Sequence, residues 1–165
     1  MALDENIKKS GKRKNTLADT IIEYLCRILL AGMVGGLIIF WKFIPDQIPT
    51  HYNSAGAIDG WGGKGMVWLI VVVTGFLYLG ISFAENHPEI WNTGVEVTKK
   101  NSAKVYRILK YLISTSKLIM IVVFVFMVAC MALAEPLPVW FLPVALVVLG
   151  GNTMFWLVRL FLARQ

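Results

Sequence analysis

LIMIVVFVFMVACMALA, residues 118–134, is an apolar run that contains no charged side chain. Such a run crosses the roughly 30 Å hydrocarbon core of a bilayer as a helix, because only helical hydrogen bonding satisfies the backbone there. Similar runs lie at residues 21–43, 66–83 and 139–162. With 57% hydrophobic residues, the chain carries more apolar surface than a soluble core of this size can bury. The sequence therefore predicts four membrane-spanning helices.

The predicted fold class is an all-α membrane protein, a four-transmembrane-helix bundle with an ordered extracytoplasmic loop and an amphipathic cytoplasmic helix. We expect a flexible basic cytoplasmic tail at residues 1–20 and a single domain at residues 21–165, with the third span near residues 112–134. The lipid bilayer is the first partner that this organisation implies.

The amphipathic helix is predicted from Thr98 onward, because Val105, Ile108 and Leu109 recur at helical spacing between basic residues. Thr98 is a suitable cap for its start. We expect this helix to lie partly on the cytoplasmic leaflet and to run into the third span near Lys117. The Lys117 stem would then extend back toward the lipid head groups.

The formal net charge of +6 reflects topology, because the basic residues are concentrated at one side of the four apolar runs. The basic residues on this side include Lys8, Lys9, Lys12, Arg13, Lys14 and Arg27, then Lys99, Lys100, Lys104, Arg107 and Lys110, and finally Arg159 and Arg164, whereas the loop after the first span carries only Lys42 and Lys64. The positive-inside rule places this side, with both termini, in the cytoplasm. We therefore predict a multi-pass protein of the cytoplasmic membrane and no nucleic-acid partner.

Gly32 and Gly36 stand at the spacing that allows two helix backbones to approach closely in a membrane. We interpret this strip as a packing surface within the bundle. A homo-oligomer formed through the same strip is the alternative, since small-residue spacing serves both kinds of contact.

The loop after the first span, IPDQIPTHYNSAGAIDGWGGK at residues 44–64, combines prolines, glycines, polar side chains and aromatics. Prolines restrict the backbone and glycines permit tight turns, so we expect the loop to be ordered. It is the candidate functional surface. The candidate ligand-binding residues are Pro45, Asp46, Pro49, His51, Asn53, Asp59, Trp61 and Lys64.

These residues resemble the hallmark of the membrane family named domain of unknown function 1648, which is Pro-Asp-x-Ile-Pro-x-His followed by Asn, Gly, Asp, Trp-Gly and Lys. Ile48, Gly56 and Gly62 match it as well. A second stretch resembles the family's cytoplasmic motif through His87, Pro88, Asn92, Thr98, Asn101, Tyr106 and Arg107. Thr93-Gly94 departs from the family's aromatic and proline, so the turn there is expected to differ.

The resemblance implies a relation to the Sdp-type immunity protein, which protects its bacterial producer from a secreted peptide toxin and signals to a repressor. It therefore implies recognition of an extracellular peptide, with a cytoplasmic regulator as a second partner. Those relatives are longer and contain additional spans, so this chain corresponds to the module that they share.

Other chemistries are weighed against this hypothesis. His51, Asp46 and Asp59 are ligand types for zinc or manganese, yet one histidine makes a weak site, and hydrogen bonding within the loop is the preferred interpretation. We expect no cofactor and no catalytic residue, so an enzyme is not favoured. A small transporter or channel is the first alternative, although no ionisable residue is apparent deep within a span, and a metal-dependent membrane enzyme is the second. Glu23 is expected to pair with Arg27 one helical turn later.

Overall fold

Four long helices form from the four apolar runs. The computed structural model describes residues 15–163, in which the helices are α1 (Leu17–Phe40), α2 (Val67–Asn86), α3 (Ser102–Leu133) and α4 (Phe141–Leu162). Each is long and apolar enough to cross a membrane. Large apolar side chains remain exposed along them, as lipid contact requires; examples are Ile39, Phe76, Val122 and Leu146. The predicted set of four candidate spans is confirmed.

The third helix is the centre of the bundle, because α1, α2 and α4 all pack chiefly on α3, whereas α1 and α2 contact each other little. Successive helices run in opposite directions. The start of α1, residues 87–101 and the end of α4 meet at one end, which we call the basic end. Residues 41–66 and 134–140 meet at the other, which we call the hairpin end. Their placement inside or outside the cell stays a prediction.

Helix α1 begins before the predicted start of the first span. Thr16 caps it, with the Thr16 hydroxyl accepting from the Asp19 amide at 3.3 Å and the Asp19 carboxylate accepting from the Thr16 amide at 2.7 Å. The predicted tail of residues 1–20 is therefore too long, since residues 16–20 belong to the helix and its cap. Residues 1–14 of that tail lie outside the described part of the chain.

The loop after α1 contains a β-hairpin, so the all-α prediction is incomplete. Strand β1 (Gln47–Tyr52) pairs antiparallel with β2 (Ile58–Gly63), and Ile48 faces Gly62 across the pair. Ile48 is fully buried beside Ile44 at the hairpin end. Their apolar neighbours come from three helices and are Met33, Leu37, Val67, Val128 and Met131. The hairpin is thus packed onto the bundle.

The predicted amphipathic helix is the first part of α3, which is continuous from Ser102 to Leu133. Its apolar side chains Val105, Ile108 and Leu109 are buried against protein, which corrects the expectation that they lie on the leaflet. The covering residues are Trp91, Val95, Val97, Leu160 and Ala163. Protein packing replaced lipid contact here because the preceding segment and the end of α4 both fold over this face.

The glycine strip does not pack within the bundle, so that interpretation was wrong. Gly32 and Gly36 line an apolar groove of about 610 Å³ between α1 and α3. A Cβ atom built at Gly32, Gly35 or Gly36 would meet nothing within 4 Å. The strip therefore leaves open space beside α1. A homo-oligomer through this strip stays a prediction.

Candidate functional site

The turn of the hairpin is held by Asn53. Its side-chain oxygen accepts hydrogen bonds from the amides of Ala55 at 2.9 Å and Ala57 at 3.0 Å. Such bonds stabilise a tight turn at the expense of the side chain's freedom to reach a ligand. Of the candidate ligand-binding residues, Asn53 therefore has a structural role.

The tip of the hairpin contacts the connection between α3 and α4, and we call this the tip contact. The Leu137 amide donates to the Gly56 carbonyl at 2.9 Å, and the Tyr52 hydroxyl donates to the Glu135 carbonyl at 3.3 Å. Gly56 has a positive φ of 82°, and a Cβ atom there would lie 2.4 Å from the Leu137 oxygen. Only glycine fits this position without strain.

The open face of the hairpin carries His51, Asp59 and Trp61. His51 Nδ1 and Asp59 Oδ1 are 2.5 Å apart, and the two side chains are 73% and 42% exposed. Trp61 is 56% exposed. Asp59 lies where the pairing of the two strands is irregular, and Trp61 pairs with Pro49. The structure thus brings His51 and Asp59 together and leaves Trp61 exposed on the same hairpin.

The base of the hairpin is closed by Asp46 and Lys64. The Lys64 ammonium lies 2.9 Å from Asp46 Oδ1, and the Lys64 amide donates to the Asp46 carbonyl at 2.9 Å. The hydrogen bond from Lys64 lowers the pKa of the Asp46 carboxyl. Lys64 also lies 5.4 Å from the centre of the Trp41 ring. Of the two candidate prolines, Pro45 is exposed and Pro49 is buried.

The weak metal candidates are divided between two places. His51 and Asp59 form one pair, whereas Asp46 is bound to Lys64 at the base of the hairpin. Over residues 15–163, no group of three or more His, Cys, Asp or Glu side chains is placed to hold a metal ion. A pair with one carboxylate and one imidazole offers hydrogen bonds and charge to an organic ligand.

Burial of Tyr52 yields a pH prediction. Burial raises the pKa of the Tyr52 phenol from 10.0 to about 12. Below pH 10 the phenol is protonated in the folded and the unfolded chain, so its contribution to stability is complete. Above pH 10 the unfolded chain ionises first, and stability is lost as the pH rises through about 12.

In an absorbance titration of phenol ionisation, we therefore expect Tyr52 to contribute to the late absorbance change of the folded protein. Tyr52→Phe should reduce the amplitude of that late change by one phenol and weaken the alkaline loss of stability. Tyr24→Phe, at an exposed tyrosine, is the matched control. A late absorbance change of unaltered amplitude in Tyr52→Phe would contradict the assignment.

The second predicted motif lies at the basic end, and its members support local structure. The His87 ring stacks on Phe83 with centroids 4.0 Å apart, and Pro88 beside it is buried. The Asn92 side chain accepts from the amide of Gly94, which has a positive φ of 63°. This turn occupies the position where the sequence departs from the family.

Thr98 and Asn101 bond reciprocally just before α3. The Asn101 side chain accepts from the Thr98 amide at 2.8 Å, and the Thr98 hydroxyl accepts from the Asn101 amide at 3.3 Å. The helix itself begins at Ser102, so Thr98 stabilises the turn that leads into it. Both residues of the predicted motif therefore fix the start of α3.

The last two members of the motif reach neighbouring elements. Tyr106 packs on Trp91 with ring centroids 6.0 Å apart. Arg107 donates to Asp19 at 3.0 Å, and Asp19 is 4% exposed. Asp19 was assigned to the flexible tail from sequence, and the structure shows instead that it ties the start of α1 to α3.

A cluster of ionic side chains, which sequence reasoning did not predict, joins three helices near the basic end. Lys117 of α3 is 1% exposed and donates to Glu23 of α1 at 2.8 Å. The same ammonium donates to Glu85 of α2 at 2.6 Å and to the Ser82 hydroxyl at 3.2 Å. The Tyr78 hydroxyl donates to the second oxygen of Glu23 at 2.5 Å. We call these residues the Lys117 cluster.

The Lys117 cluster corrects one expectation and confirms another. Lys117 does not extend toward the head groups, because two carboxylates within the bundle hold its ammonium. Glu23 pairs with Arg27 at 2.9 Å as predicted. The sequence contained one indication of the cluster, which is the similar position of its three charged members along their helices. Glu23, Glu85 and Lys117 lie at similar distances from the helix ends near the hairpin, which are Phe40, Val67 and Leu133.

Comparison with known proteins identifies one family. Residues 28–75 match the family described as "Domain of unknown function (DUF1648)", which confirms the resemblance noted in the loop. The match extends from α1 through the hairpin to the first half of α2 and excludes the second motif. No curated protein and no solved structure matches the chain.

Proposed function

We propose that this chain, which belongs to the DUF1648 family through residues 28–75, is a membrane protein that recognises an extracellular peptide through the open face of its hairpin. The observation that carries the proposal is the exposed group of His51, Asp59 and Trp61. An imidazole–carboxylate pair can hydrogen-bond to a peptide backbone or to a basic side chain. The exposed indole of Trp61 offers apolar contact area on the same hairpin, and such aromatic residues carry much of the affinity at protein interfaces.

The hairpin is suited to recognition because it is fixed before a ligand arrives. Its inner face is anchored by Ile48, its tip by Gly56 and its base by the Asp46–Lys64 pair. A surface that is already ordered loses little conformational entropy on binding. The concentration of basic residues at the opposite end supports an extracellular position for the hairpin.

The proposal predicts that substitutions on the open face abolish peptide retention. Wild-type protein in lipid nanodiscs would be immobilised and exposed to the peptide fraction of the source organism's own culture medium, and retained peptides would be identified by mass spectrometry. The double variant His51→Ala with Asp59→Ala, and separately Trp61→Ala, should weaken retention by at least about tenfold, as expected for central interface residues. These side chains are exposed, so the fold should persist.

Glu135→Ala is the matched control, since it removes an exposed carboxylate from the hairpin end without touching the open face. Retention of the same peptides by the wild type and by the hairpin variants would refute the proposal. Solute flux in proteoliposomes, without peptide retention, would favour the transporter alternative instead.

A further inference from the structure

Helix α1, the hairpin and α2 form a unit whose two helices scarcely contact each other along their length. At the hairpin end they are joined by the strands and by Trp41 and Trp68, whose ring centroids are 6.0 Å apart. Near the basic end the bond from Tyr78 to Glu23 joins them. Each helix otherwise packs on α3. The relative position of α1 and α2 therefore depends chiefly on how each is held by α3.

An apolar groove opens on one side of the contact between this unit and α3. The groove of about 610 Å³ runs between α1 and α3, with Gly32 and Gly36 on one side and Ala129 and Ala132 on the other. Beside it, Met33 and Leu37 of α1 and Val67 of α2 share a buried cluster with Val128 and Met131 of α3. Polar contacts at the two ends of the bundle add to this apolar packing.

Those two ends are the tip contact and the Lys117 cluster. We propose that the Lys117 cluster is an ionic lock between α3 and the α1–hairpin–α2 unit, and that its release is coupled to release of the tip contact at the opposite end. Because one unit makes both contacts, freeing one end lowers the cost of moving the other. The lock goes beyond peptide recognition and operates without a peptide.

Cys26 provides a reporter for this motion. It lies three residues after Glu23, on the same side of α1, and is fully buried. A thiol in this position reacts with N-ethylmaleimide only when the lock region opens. Cys130, the second cysteine, is replaced by alanine in all the proteins compared.

Glu85→Gln tests the lock itself. It keeps the shape of the side chain but weakens a charge-assisted bond to Lys117, so we expect the rate of Cys26 labelling to rise about tenfold. Glu96→Gln, at an exposed glutamate of the connection between α2 and α3, is the matched control and should label at the parental rate.

Gly56→Ala tests the coupling. Its Cβ atom would collide with the Leu137 oxygen and displace the tip, so Cys26 should label at least about threefold faster although it lies near the other end of the bundle. Gly63→Ala is the control, because a Cβ atom there meets nothing within 4 Å. If circular dichroism shows that Gly56→Ala has lost helix, Tyr52→Phe removes one bond of the tip contact and serves in its place.

Two results would overturn the inference. Equal labelling of Glu85→Gln and Glu96→Gln would show that the cluster does not control opening. If Glu85→Gln labels faster but both tip variants label at the parental rate, the Lys117 cluster holds the helices together and its release is not coupled to the tip contact. Neither result depends on a ligand, so failure here is distinguishable from failure of peptide recognition.

Discussion

Replacing Lys117 with methionine is expected to lower the free energy of unfolding by about 3–5 kcal/mol, because it removes the cation that holds the Glu85 carboxylate and leaves Glu23 with Arg27 alone. The ammonium holds Glu23 and Glu85 on different helices, and the side chain is 1% exposed. Methionine fills similar space, so the loss is chiefly electrostatic. Denaturation by sodium dodecyl sulfate in mixed micelles, followed by circular dichroism, measures the change.

Two comparisons make the Lys117 result specific. Lys104→Met removes an exposed ammonium from the same helix and should change stability by less than about 0.5 kcal/mol. Adding Glu23→Gln and Glu85→Gln to Lys117→Met should recover most of the loss, because no unpaired carboxylate then remains within the bundle. Equal stability of Lys117→Met and Lys104→Met would show that the cluster contributes little to folding.

The second large effect is expected for Gly56→Ala, which should cost about 3 kcal/mol. A residue with a Cβ atom pays roughly 1–2 kcal/mol in the left-handed region, and displacement of the tip removes the hydrogen bond from Leu137, worth about 1 kcal/mol. The Cβ atom would also lie 2.4 Å from the Leu137 oxygen, which forces the tip to shift. The same denaturation assay measures this loss.

Gly63→Ala is the control that shows whether the loss in Gly56→Ala comes from its place at the tip or from replacing any glycine of the hairpin. Gly63 has a φ of −64°, which suits any residue, and it has free space around its Cα atom. We expect Gly63→Ala to leave stability unchanged or slightly higher, because alanine reduces the freedom of the unfolded chain. A similar loss in both variants would mean that the tip contact is not formed as described.

The helices could be predicted from sequence because a long apolar run in lipid must form a helix to satisfy its backbone hydrogen bonds. Such a run can be recognised directly in the sequence. The strands could not. Pro49 and the glycines at 60, 62 and 63 are uncommon in strands, so the loop composition indicated order without indicating β structure. The strands form because Ile48 enters the core and the turn at Asn53 reverses the chain.

The Lys117 cluster was missed for a different reason. Glu23, Glu85 and Lys117 each lie near the predicted end of a span, where a charge is ordinarily solvated by head groups. Their partnership is created by packing among three helices and is not encoded in any one of them. The candidate residues of the hairpin were predicted individually, whereas their division into an exposed pair at His51 and Asp59 and a closing pair at Asp46 and Lys64 required the folded chain.

Lys117 bridges Glu23 and Glu85 and follows both of them in the chain. This order affects how the protein is assembled in the membrane. Glu85 is synthesised before Lys117, so the second helix leaves the ribosome carrying a carboxylate whose cation does not yet exist, whereas Glu23 already has Arg27 on its own helix. An uncompensated acid is costly at the margin of the hydrocarbon. The ionic link of the second helix to the bundle therefore forms only after the third helix has been made.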